Sequence, residues 1–144
     1  MGKRFSDLDA SLGYGLLRLT MGLNFLVHSF GRWRDLGHFV DGVVTNFANT
    51  PLPVWSVRSF AFVIPFWEPV VGALLLLGLW TRWALVAGAL LMAALVFGTS
   101  LDGNYTILNE QLIYALIFFV LFLFRARYDH FGLDGLRATE VLRQ

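Results

Sequence analysis

Glu68 is the residue best placed to do chemistry: it interrupts an apolar run over residues 60–80 and lies between Pro65 and Pro69. Each proline removes a backbone donor and frees the carbonyl four residues earlier. A carboxylate beside such a kink can exchange protons or hold a ligand. Its alternative role is one half of a buried ion pair that only fixes packing. Arg18 and His28 break a second apolar run, over residues 12–30, and are ten residues apart. That is about 15 Å along a helix at roughly 1.5 Å per residue. Counted from the inner helix ends, Glu68 falls in depth between them, so the three side chains can share one interior polar pocket. Arg18 can instead snorkel toward headgroups, and His28 alone reads as a hydrogen-bonded interfacial histidine. Glu110 opens a further apolar run over residues 107–124. As a first-turn acid it suits a helix N-terminus. Alternatively it stands at the mouth of the same pocket, with Tyr114 one turn below and Arg32 at its level.

The elements that must carry these residues are set by composition. Of 144 residues, 57% are hydrophobic and 15% charged, against about 45–50% and about 25% in soluble domains. A bilayer removes the need to bury that much apolar surface. Apolar stretches at residues 12–30, 60–80, 83–100 and 107–124 approach the length of about 20 residues that a bilayer requires. The expected fold is therefore all-α: a bundle of four transmembrane helices forming a single domain over residues 1–144, with a tail from residue 125. The first stretch is not a signal peptide, because Arg18 and His28 lie inside it and no small-residue cleavage site follows. Both termini and a tight turn at Thr81-Arg82 share one side with Lys3, Arg4, Arg125, Arg127, Arg137 and Arg143. The other side holds Arg32, Arg34 and Arg58, offset by Asp35, Asp41 and Asp102. The positive-inside rule then places both termini in the cytoplasm, with the chain in the inner membrane. Trp33, Trp55, Trp80 and Trp83 fall near span ends, as an aromatic belt requires.

The third stretch reads as packing: Ala84 and Gly88, Ala89 and Ala93, and Ala94 and Gly98 are small residues four apart. Between the first two stretches, Phe39, Val40, Val43, Val44 and Phe47 share one helical face opposite Asp41 and Thr45. This amphipathic helix lies on the outer membrane surface or roofs a cavity between the spans. Leu133, Leu136 and Val141 suit a surface helix in the tail. The absence of cysteine excludes disulfides, thiolate zinc sites, cysteine-ligated iron–sulfur clusters and dithiol redox chemistry. His28, His38 and His130 are the histidines; the first and last fall on opposite sides, so no metal site is expected. The net charge of +1 and scattered basic residues give no nucleic-acid partner.

Span one, Leu16-Leu17-Arg18-Leu19-Thr20-Met21-Gly22-Leu23-Asn24-Phe25-Leu26-Val27-His28-Ser29-Phe30-Gly31-Arg32, resembles the arginine, glycine, then His-Gly-x-x-Lys segment of the DoxX family. The block Glu68…Gly72…Gly78…Thr81-Arg82 and the Thr50-Pro51-Leu52-Pro53 loop are similar to that family as well. Ser29 stands where glycine is usual and Arg32 where lysine is usual. The resemblance covers nearly the whole chain. It implies a four-helix membrane bundle related to the membrane subunit of thiosulfate:quinone oxidoreductase, hence a quinone-linked oxidoreductase subunit. Glu68 and His28 would then supply protons to a quinone, and Arg18 or Arg32 would stabilise its anion. Phe25, Trp67 and Tyr114 would line the slot, and a partner protein would supply electrons. The alternative is a non-enzymatic membrane protein: an assembly partner, a chaperone or a small-solute passage, alone or as a homo-oligomer.

Overall fold

The computed structural model describes residues 2–135, with side chains from Ser6 onward. Every regular element among them is helical: α1 (Gly2–Trp33), α2 (Leu36–Asn46), α3 (Val54–Leu77), α4 (Thr81–Asp102) and α5 (Tyr105–Tyr128). Local chemistry sets the breaks. Asp35 caps α2 by accepting from the His38 N–H at 3.0 Å. Pro53 holds the chain extended before α3, at φ -61° and ψ 134°. The α3–α4 turn is Gly78-Leu79-Trp80, earlier than the expected Thr81-Arg82. Gly78 takes φ 60° and Trp80 φ 48°, and the cost of the second is offset by its N–H donating to Asp134 Oδ1 at 3.1 Å. Gly103, at φ 75°, ends α4, and Asn104 caps α5 by accepting from the Ile107 N–H at 3.3 Å.

The four long helices form an antiparallel ring in which α1 packs on α3, α3 on α4, α4 on α5 and α5 back on α1. Gly22 and Gly72 make the α1–α3 contact tight: a Cβ added to either would lie 2.8 Å from the other's carbonyl oxygen. Gly88 of α4 makes room for the Phe118 ring, which meets Phe25 edge-on at 5.4 Å between centroids. Ala84 and Gly88 are buried as the small-residue pattern expected, but Ala89 and Ala93 point outward and Ala94 and Gly98 are half-buried. The loop helix α2 is present. Val40 is buried, the helix lies against the first half of α3, and Phe47 reaches Gly98 of α4. Of the expected tail helix, Leu136 and Val141 lie outside the described residues, and Leu133 is exposed.

Three segments are long and apolar enough to cross a membrane: α3, α4 and Tyr105–Gly135, which contains α5. Sequence patterning expected four. The first helix falls short of that measure because Arg18 and Asn24 dilute its apolar run. It is nevertheless longer than expected, at 32 residues, and Leu12, Leu16, Leu19, Leu23 and Val27 form an exposed stripe along it at helical spacing.

Candidate functional site

Glu68 sits on the face of α3 that meets α1. It is 5% exposed, and its carboxylate is ion-paired with Arg32. Arg32 belongs to the last turn of α1, where a cation also suits the helix dipole. Its guanidinium lies 4.9 Å from the centroid of the Phe39 ring, a cation–π contact, so α2 roofs the pair. The neighbouring Trp33 donates its indole N–H to the Pro65 carbonyl at 2.9 Å. That carbonyl is the one Pro69 leaves without a helical donor. The last two residues of α1 therefore answer two consecutive demands of α3, a buried carboxylate and an orphaned carbonyl. The Trp33 ring also lies beside Phe66 of α3, with 6.3 Å between centroids.

A second polar cluster lies at the opposite end of the bundle. Arg18 is 1% exposed and ion-paired with Asp129, and it donates through Nη2 to the Phe131 carbonyl at 3.0 Å. Gly78 and Gly132 make room for it: a Cβ on either would stand 2.5 or 2.6 Å from Nη1. Asp134 accepts from the N–H groups of Trp80 and Thr81 at 3.1 and 2.9 Å, and its own N–H donates to the Gly78 carbonyl at 2.9 Å. The segment after α5 is thereby tied to α1 and to the α3–α4 turn.

The single interior pocket expected from sequence thus resolves into two ion pairs at different depths. Arg18 stands level with Gly78, ten residues from Glu68, so about 15 Å away along α3. Neither Arg18 nor His28 is hydrogen-bonded to Glu68. His28 is exposed, and its Nδ1 is 3.0 Å from the Asn24 carbonyl of its own helix. Glu110 is exposed on α5, Tyr114 is half-buried against the core, and Phe25 is part of that core. Trp67 is exposed beside a hollow of about 420 Å³ between α3 and α4, lined also by Phe66, Val70, Leu74 and Trp83. No ionisable side chain lines this hollow. Among the described residues no group of His, Asp and Glu is arranged to hold a metal ion. Asp129 and Asp134 escaped the sequence reading, and Trp33 was read only as an aromatic-belt residue, not as the donor to Pro65. Pro69 was a signal for Trp33, since a freed carbonyl needs a donor; no sequence pattern pointed to the two aspartates, whose partners lie 111 positions away for Asp129 and 53 and 54 for Asp134.

Residues 10–109 match a family model described as methylamine utilisation protein MauE. No curated protein and no solved structure matches the chain. The match corrects the resemblance to the DoxX family. Gly22, Gly72 and Gly78 are required by close helix approach and by room for a guanidinium, so glycine–leucine patterning of this kind is a demand of membrane packing and is not peculiar to one family. The matched segment contains Arg18, Arg32 and Glu68 and stops before Tyr114, Asp129 and Asp134.

Proposed function

From the chain's membership of the methylamine utilisation protein MauE family, we propose that it is a multi-pass membrane component of an amine-utilisation system, acting as an assembly partner and not as the catalyst. The observation that carries this reading is the use of the buried charges. Arg32 and Arg18 are each committed to a carboxylate that joins separate elements, α1 to α3 and α1 to the segment after α5. Charges held this way fix a framework. A quinone-linked subunit would need an apolar slot that opens onto a proton donor. Here the slot between α3 and α4 has no ionisable lining, while Glu68 faces α1 under Arg32. That geometry favours the assembly reading over the redox one.

In this reading α1 is a fourth membrane helix. Its exposed leucine stripe faces lipid, and Arg18 and Arg32 turn inward to partners, which removes the cost that bare charge would carry in the bilayer. The basic residues at the terminal end set both termini in the cytoplasm of an inner-membrane protein. The test is genetic. Deleting the chain from its host should abolish growth on methylamine as nitrogen source while growth on ammonium continues. Unchanged growth on methylamine would refute the proposal. A stoichiometric quinone in solvent extracts of the purified protein would restore the redox reading.

A further inference from the structure

Two hollows run along α3 and meet. One, of about 560 Å³, lies between α2 and α3 and is lined by Leu36, Val40, Asp41, Arg58, Ser59 and Phe62, with Val63. The other is the α3–α4 hollow, of about 420 Å³, and Phe62 and Val63 line both. Together they form a groove that is polar at its α2 end and apolar below it. At the polar end Arg58 and Asp41 form an ion pair at 3.1 Å with exposed side chains, the kind of surface pair that opens at little cost. Trp55, one turn before Arg58, is 73% exposed and suits the headgroup level.

We propose that this groove is a site for one phospholipid with a zwitterionic, amine-bearing headgroup, from the leaflet at the α2 end. The phosphate takes Arg58 and the Ser59 hydroxyl, and the ammonium takes Asp41, so both members of the opened pair are matched. Either charge alone would suit a wider range of ligands; the adjacent opposite charges select a headgroup carrying both. An acyl chain then descends past Phe62, Val63 and Phe66. From Arg58 to Val70 is 12 residues, or about 18 Å along the helix, against roughly 15 Å for one leaflet of hydrocarbon. The groove continues to Leu74, so a full chain fits without leaving it. The site stands on the opposite face of α3 from the Glu68 pair and does not depend on the assembly role.

The test is native mass spectrometry of the detergent-purified full chain after incubation with phosphatidylethanolamine, phosphatidylglycerol or glycerophosphoethanolamine. One phosphatidylethanolamine should be retained per chain, with phosphatidylglycerol retained less and the chainless headgroup not at all. Arg58→Gln should weaken phosphatidylethanolamine retention roughly five-fold, the effect expected of one basic contact at the surface. Asp41→Asn should erase the preference between the two lipids, and Val70→Trp should block the groove. All three positions are exposed, and thermal melts of each variant establish that folding is intact. Equal retention of both lipids, unmoved by the variants, would mean ordinary boundary lipid and overturn the proposal. So would a delipidated dimer that Val70→Trp dissociates, which would seat a second copy on this face.

Discussion

Replacing Arg32 with glutamine leaves the Glu68 carboxylate, 6% exposed at its side chain, without its cation. Breaking a buried ion pair from one side costs about 3–5 kcal/mol, because a charge remains in a low-dielectric site. The mirror change is milder. Glu68→Gln leaves Arg32, whose side chain is 26% exposed, free to keep its contact with Phe39 and extend toward the headgroups. Its cost should be nearer the about 1–3 kcal/mol of an imperfectly met polar group. The double variant Arg32→Gln/Glu68→Gln should be more stable than Arg32→Gln alone, since no uncompensated charge survives. Thermal melts in one mild detergent, followed by tryptophan fluorescence, read the order directly. A 3 kcal/mol loss corresponds to roughly 10 °C for a chain of this size. The reasoning fails if Glu68→Gln is the more damaging single change, or if the double variant shows the plain sum of the two losses.

The helix contacts give further expectations. Gly72→Ala should cost about 1–3 kcal/mol by overpacking against Gly22, whereas Gly42→Ala, with nothing within 4 Å of the new Cβ, should hold or raise stability; paired melts decide. Trp33→Phe keeps the ring but removes the donor to Pro65, so it should cost about 1 kcal/mol, measured the same way. Arg18→Gln should release the segment held through Asp129 and Phe131, seen as faster trypsin cleavage after Arg127; an unchanged digestion pattern would mean that Asp134 alone secures it.

Much of the helical layout was legible because apolar runs, capping residues and glycine turns act locally. Glu68 stood out for the same reason: a carboxylate in an apolar run needs a partner, whatever the fold. Which partner it takes was not legible. Arg18 and His28 were the partners expected on α1, with Arg32 placed at the level of Glu110, and the actual choice depends on the register between α1 and α3, set by the Gly22–Gly72 contact. That contact puts Glu68 about level with Leu26 to His28 and the end of α1 about a turn beyond it, so the long Arg32 side chain reaches back to the carboxylate while Arg18 falls beside Gly78. Asp129 was hidden for a related reason, since its pairing with Arg18 crosses 111 positions of sequence. The first span was expected from its apolar run, but Arg18 and Asn24 hold it below the hydropathy that α3, α4 and Tyr105–Gly135 reach.

The measurement that bears most directly on the proposed role is complementation of the deletion strain by Arg32→Gln/Glu68→Gln. If the pair is a framework contact in an assembly partner, the double variant, expressed in the membrane at the level of the unaltered chain, should restore growth on methylamine. If Glu68 carries proton or ligand chemistry, the same variant should be present and folded yet leave the strain unable to grow, and that result would contradict the assembly role.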